Sequence, residues 1–305
     1  MSENIYLEKF ILPTPDKEEA VIRRRMAEND PKYGGYIDNL YPARIFPAKG
    51  LRELNFDRVT ILYGGNGSGK STLLNLIAAK LKLDRISPYN SSELFAYYTA
   101  TCSYKLGLSD EGFELRIPNG SRIITSDDVF DYMLTVRSNN EELAETIEKA
   151  KTDYFNVKYG KTIRFRGMDD YDELRAQVLA RKKSVSRRQF IKKTIGQEAD
   201  LYSNGETALE YFSNHLKDRT LYCLDEPENS LSPKYQLELK AMLEAYAAYD
   251  TQLIIATHSP FILAMRGARI YNLDESPVDI RNWWELENSK IYFEFFDRNK
   301  ELFLG

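Results

Sequence analysis

The run of apolar and polar positions divides this chain into two legible ends and a less legible middle. Near the start, Ile-Tyr-Leu-Glu-Lys-Phe-Ile-Leu (5–12) reads as a strand, stopped by Pro13 and Pro15. The charged stretch 16–29 predicts a short helix, and 33–47, rich in Gly, Pro and aromatic residues, predicts loops and short strands. Val-Thr-Ile-Leu-Tyr (59–63) is a continuous apolar and β-branched run, the pattern of a buried strand. A glycine-rich turn follows at once. Leu73, Leu74, Leu76, Ile77 and Leu81 then fall at helical spacing and predict a helix over 71–83.

Between about 84 and 200 the pattern predicts strands at 112–117 and 121–125, and helices at 128–136, 140–151 and 171–183, with no repeat and no sustained heptads. Clear periodicity returns later: a helix over 207–216, a strand over 220–224, a helix over 233–248 and a strand over 252–257. Trp283, Trp284, Tyr292, Phe293, Phe295 and Phe296 gather near the end and predict a C-terminal helix docked on the core, with an interaction tail as the alternative.

Composition narrows the class. The chain has 305 residues, 43% hydrophobic and 29% charged, which suits a globular protein with a sizeable core and excludes a mostly disordered chain or a collagen-like fibre. A formal charge of −4 argues against wholesale coating of nucleic acid but permits a local basic patch. Cys102 and Cys223 lack metal-ligand spacing and suit a reducing compartment. Neither a secretory leader nor an apolar stretch of membrane-spanning length is visible, so a cytoplasmic protein with no membrane contact is expected.

Four segments carry candidate chemistry. The strongest is Gly64-Gly65-Asn66-Gly67-Ser68-Gly69-Lys70-Ser71, continuing into Thr72, which fits the phosphate-loop pattern with a strand before it and a helix after it. Glycines let backbone N–H groups curl around phosphates, the helix adds its positive end, Lys70 reaches the outer phosphates and the Ser71 hydroxyl suits Mg²⁺. The second is Leu-Tyr-Cys-Leu-Asp-Glu-Pro (221–227), an apolar strand ending in two acids. There Asp225 suits Mg²⁺, and Glu226 is placed to polarise a water. The third is Tyr-Ser-Asn-Gly-Glu (202–206) at a helix start. Taken singly it reads as a capping box between Ser203 and Glu206, with a backbone-and-hydroxyl anion cradle as the functional alternative. The fourth is His258 in Ile-Ile-Ala-Thr-His-Ser-Pro (254–260). It follows an apolar strand, which puts it at the same sheet edge as Asp225.

In this order the four segments resemble the ATP-binding-cassette (ABC) ATPase superfamily, and more narrowly its predicted-ATPase (AAA family ATPase) branch related to structural-maintenance-of-chromosomes and DNA-repair ATPases. The resemblance covers about residues 40–275. It implies an α/β P-loop fold: a mostly parallel central sheet flanked by helices, an N-terminal antiparallel β portion, and a helical lid insertion. On that basis 1–83 and 201–305 form one discontinuous ATP-binding core, and 84–200 the insertion. It also implies Mg²⁺-dependent ATP hydrolysis in a homodimer that sandwiches two nucleotides. Each ATP lies between the phosphate loop of one chain and the signature Ser203, Asn204, Gly205 and Glu206 of the other. Asp225 then holds Mg²⁺ with Ser71, Glu226 is the general base, His258 contacts the γ-phosphate, and Ser230 and Ser232 lie in a dimer-facing loop.

The chain departs from that family in places. The Gln that usually follows the phosphate loop is missing, since the first Gln after Thr72 is Gln177; Ser126 or Asp127, in 123–127, occupies a comparable place. Asn204 stands where Gly is usual, and Tyr36, Tyr41 and Phe46 are the candidates for stacking on adenine. Within the insertion, 174–195 holds Arg187, Arg188, Lys192, Lys193 and further cations with no acid. That run reads equally as a nucleic-acid or partner contact and as a solvated helical face. The leading expectation is an ATPase that switches or drives a separate effector, in nucleic-acid maintenance or a defence or toxin system. A membrane transporter's nucleotide-binding subunit is the alternative, and a non-hydrolysing ATP sensor the third.

Overall fold

The computed structural model describes residues 5–28, 40–89, 91, 93–137, 149 and 204–304. The chain divides into two units, 1–129 with 212–305, and 130–211. The expected helices at 140–151 and 171–183 and the basic run 174–195, with Arg187, Arg188, Lys192 and Lys193, lie outside the described residues, apart from Lys149.

The first unit is built on a six-stranded sheet in the order β5-β6-β7-β3-β8-β9. Its strands are β3 (Val59–Tyr63), β5 (Arg122–Thr125), β6 (Leu221–Asp225), β7 (Gln252–Thr257), β8 (Arg269–Asn272) and β9 (Asp279–Ile280). All pairings are parallel except β8 with β9. Every residue of β3 and β7 is buried, which is why these stretches are mostly apolar on both faces instead of alternating. A smaller antiparallel sheet, in the order β2-β1-β4, comprises β1 (Leu7–Ile11), β2 (Glu53–Asn55) and β4 (Ser103–Leu106).

Between the sheets lies one apolar core. Phe10 and Leu54 come from the small sheet, Leu73, Leu76 and Ile77 from α2 (Lys70–Leu81), and Cys223 and Ile254 from the large one. Helices α1 (Pro15–Glu28) and α3 (Glu93–Thr101) add Ile22, Phe95 and Tyr98. A buried amide links the two sheets: Gln252 Oε1 accepts from Leu7 N at 2.9 Å and its Nε2 donates to Leu7 O at 2.9 Å. Both cysteines are free and buried.

The strand expected over 112–117 is reduced to one isolated antiparallel bridge, Glu114 with Leu108, behind a tight turn. Ser109 N donates to Phe113 O, Gly112 adopts φ +81° and Phe113 is exposed. Helix α4 (Ser126–Arg137) follows β5, α5 (Asn204–His215) precedes β6, and α6 (Pro233–Ala248) crosses from β6 to β7. The short α7 (Pro260–Leu263) follows β7. At the C-terminal end, α8 (Glu287–Arg298) and α9 (Lys300–Leu304) form as helices, but their aromatic residues are not docked. Phe293, Phe295, Phe296 and Phe303 are all more than half exposed, and Ser289 is the buried residue of α8. Aromatic content fixed the helix's apolar character, and no neighbouring element among the described residues covers it.

Candidate functional site

Parallel pairing brings the ends of β3, β6 and β7 to one sheet edge, with Tyr63 opposite Thr257 and Asp225 opposite Ala256. In open parallel sheets, ligands bind at that carboxyl edge. From β3 the chain enters the phosphate loop. Gly67 and Gly69 take φ +84° and +101°, values that an L side chain resists. A Cβ on Gly69 would also meet Ile45 Cγ2 at 3.2 Å and Phe46 at 3.3 Å. Gly69 leads straight into α2, so the loop's N–H groups and the positive end of the helix face one place.

Lys70 is buried, and its Nζ donates to the carbonyls of Gly64 at 2.6 Å and Gly65 at 3.1 Å. These bonds keep the ammonium beside the loop instead of in solvent. Ser71 Oγ donates to Asp225 Oδ1 at 2.9 Å, a contact between residues 154 apart in sequence. The sheet thus joins the two expected Mg²⁺ ligands. Burial pushes the Asp225 carboxyl up to about 6. The Ser71 hydrogen bond and Lys70 oppose that rise, while Glu226 and Glu228 add to it.

Glu226 sits immediately past β6 with φ +49°, a left-handed conformation uncommon for a non-glycine residue. Its N–H donates to Ala256 O at 2.8 Å, which ties the turn to β7. Glu226 Oε1 lies 3.7 Å from Lys70 Nζ and 3.8 Å from His258 Nδ1. The base, the lysine and the histidine expected from sequence therefore meet around one carboxylate. A cavity of about 350 Å³ opens beside the loop, lined by Tyr41, Ile45, Thr72 and Glu226 together with loop residues. Of the adenine candidates, Tyr41 lines this cavity, Phe46 is fully buried under Gly69, and Tyr36 lies outside the described residues.

The other expected residues are placed as follows. Asn204, Gly205 and Glu206 open α5, and Ser203 lies outside the described residues. Ser230, at φ +74°, and Ser232, which precedes α6, lie in the loop after β6. Thr125 pairs with Asp225 in register, so Ser126 and Asp127 begin α4 at the sheet edge that carries Asp225.

Of two further residues of the site, Asp274 is not singled out by the sequence, and Glu228 is read there only as the start of the dimer-facing loop 228–233. Asp274, just beyond β8, accepts from Gly65 N with both carboxylate oxygens, at 3.0 and 2.9 Å. Its Leu-Asp-Glu-Ser setting resembles any acidic turn. Glu228 is buried, and its Oε1 accepts from Thr257 Oγ1 at 2.6 Å and from His258 N at 3.2 Å. Burial raises its carboxyl pKa, and the Thr257 bond opposes the rise. An acid two residues after Asp-Glu was the available signal.

Among the described residues, no group of three or more His, Cys, Asp or Glu is placed to hold a metal. The Ser71–Asp225 pair instead offers two hard oxygen donors beside a phosphate loop, which fits Mg²⁺, an ion that takes few protein ligands and fills its shell with phosphate and water.

Comparison with known proteins bears on the family. A family model described as "ABC transporter" matches residues 52–229, and one described as "AAA domain, putative AbiEii toxin, Type IV TA system" matches 196–264. No curated protein matches the chain. Among solved structures, an SMC head domain from Thermotoga maritima aligns over 91% of this chain and 98% of its own, at 13% identity and TM-score 0.39. The cbiO1 protein from Clostridium perfringens, part of the ABC transporter complex cbiONQ, aligns over 80% of this chain and 86% of its own, at 17% identity and TM-score 0.32. Because the first family match spans more than half of the sequence, this chain belongs to the ATP-binding-cassette ATPase superfamily and carries its P-loop nucleotide-binding domain.

Proposed function

We propose that this protein binds and hydrolyses ATP, with Mg²⁺, between two copies of itself, and that the cycle switches or drives a separate macromolecular partner. The observation that carries this reading is the convergence of Lys70, the Ser71–Asp225 pair, Glu226 and His258 at the ends of three parallel strands.

Each group has a task that its position supports. The loop N–H groups and Lys70 hold the outer phosphates. Ser71 and Asp225 would hold Mg²⁺, which when bound neutralises phosphate charge. Glu226 accepts the proton of the attacking water, and Lys70 and His258 beside it keep its carboxylate oriented. His258 then faces the terminal phosphate. The signature Ser203–Glu206 completes the site from the second copy, with Ser230 and Ser232 in the shared interface. The partner is an effector of a defence or toxin system or of nucleic-acid maintenance, with nucleic acid contacting 174–195. The toxin-system description of the second family match supports the first of these. No helix among the described residues is long and apolar enough to cross a membrane, which favours a cytoplasmic site of action.

Two variants test the reading. Lys70→Ala is expected to abolish ATP binding, measured by calorimetry, and unchanged affinity would remove the central assignment. Glu226→Gln with ATP is expected to elute as a dimer in sizing chromatography, and a nucleotide-bound monomer would count against the sandwich. The "ABC transporter" family match keeps a transporter subunit as the second reading. Co-purification of a polytopic membrane protein with Glu226→Gln would favour it.

A further inference from the structure

Glu228 has no task in the cycle just described, yet it is buried as deeply as Lys70, which does. Its side chain is 5% exposed. One oxygen, Oε1, takes the Thr257 hydroxyl and the His258 backbone N–H. The other, Oε2, is buried and has no hydrogen-bond partner among the described residues. A buried carboxylate with an unused oxygen is expensive to keep. If the position served only to join two strand tips, a neutral acceptor would do so at lower cost.

What the charge faces is the His258 ring. Nδ1 lies 3.7 Å from Glu228 Oε1 and 3.8 Å from Glu226 Oε1, so two carboxylates from the loop after β6 address the same nitrogen. The ring itself is 48% exposed. The contacts that hold its residue are otherwise through the backbone: His258 N to Glu228, and His258 O to Asn288 Nδ2 at 3.3 Å. A half-exposed imidazole tied by its main chain needs a further group to settle which nitrogen points where.

We propose that Glu228 is a positioning residue for hydrolysis: its buried carboxylate, with Glu226, holds His258 with Nδ1 turned inward and leaves Nε2 for the terminal phosphate. A carboxylate that fixes an imidazole's tautomer and orientation is a general device of catalytic and metal sites. The consequence for turnover rests on the hydrolysis reading above.

Glu228→Gln separates this role from a purely structural one. Glutamine keeps the shape and an oxygen for the Thr257 and His258 donors but removes the charge that faces Nδ1. The expected result is a fall in kcat of about tenfold or more with ATP affinity changed less than about threefold. The second measurement is the ¹⁵N spectrum of histidine-labelled, nucleotide-free protein, at a pH about two units above the ordinary imidazole value. The chain has two histidines, so His215→Gln assigns the signals. The wild-type His258 ring is expected to carry its proton on Nδ1, and the Glu228→Gln ring to show a mixture of tautomers. Unchanged kcat together with an unchanged His258 spectrum overturns the proposal. A wild-type protein that turns over no ATP refutes the hydrolysis reading, and the spectrum alone then decides whether Glu228 holds the ring. If Glu228→Gln yields little folded protein, Glu228→Asp, which withdraws the charge from the ring, is read by the same two measurements.

Discussion

The two ends of β7 are both buried and polar, and they are built on opposite terms. At the start, the Gln252 amide gives and receives hydrogen bonds: Oε1 from Leu7 N, Nε2 to Leu7 O and, at 3.3 Å, to Asp57 O. At the far end, Thr257 and His258 meet Glu228, one oxygen of which has no partner among the described residues, beside Glu226 in a left-handed conformation and Asp225 with its carboxyl pushed up to about 6. One end is satisfied and joins two sheets. The other concentrates strain and desolvated charge where a phosphate ligand is expected. The contrast teaches that a buried polar group can be satisfied on every side and join two sheets, as Gln252 does, or be left with an unused oxygen beside the candidate nucleotide site, as Glu228 is among the described residues.

Mutations at the two ends should therefore separate activity from stability. The largest effect is expected at the carboxyl edge: Glu226→Gln should lower ATP turnover by about 10²–10⁴-fold, the usual contribution of a positioned base, with the melting temperature nearly unchanged. Steady-state phosphate release and a thermal melt on the same sample check it. Equal losses of activity and stability would erase the distinction between the two ends.

The next effect belongs to the other end. Gln252→Leu leaves Leu7 N–H and C=O buried without partners, so a loss of about 2–4 kcal/mol in unfolding free energy is expected, measured by urea denaturation. Activity per folded molecule should persist. A silent Gln252→Leu would mean that the sheet-to-sheet link is dispensable.

The smallest effect has the opposite sign. The folded Asp225 carboxyl titrates at about 6, above its ordinary 3.8. Between these values the folded chain keeps a proton that the unfolded chain releases, so stability is lost as pH rises through about 6. Asp225→Asn removes that penalty. Without metal it should stabilise the fold at pH 8 by about 1–3 kcal/mol, and the gain should shrink as pH falls below 6. A destabilised Asp225→Asn would show that this carboxylate is already compensated.

Much of the site was readable before any fold was known, because its parts are contiguous. The phosphate loop, the Asp225–Glu226 strand tip and the Thr257–His258 strand tip each lie in one short segment, and the buried strands 59–63 and 252–257 are marked by mainly apolar, β-branched stretches such as Leu253–Ala256. The less legible cases have a common cause. Phe113 sits in a turn because Ser109 and Gly112 close it, which alternation of apolar positions does not reveal. The aromatics of α8 look like a buried face, yet whether a neighbour covers them is not written in the helix itself.

By itself, the amino-acid order determined the local geometry: which residues form the glycine-rich turn, which runs become buried strands, and which acids stand at their tips. Backbone preference and hydrophobic period act over a few neighbours, so they are recorded in a few neighbours. Only the tertiary structure decided who meets whom. Ser71 reaches Asp225, Gly65 reaches Asp274, and Glu228 reaches His258 because β6, β7, β3 and β8 lie side by side. Strand order is set by packing of the whole core, and it converts separate segments into one charged edge.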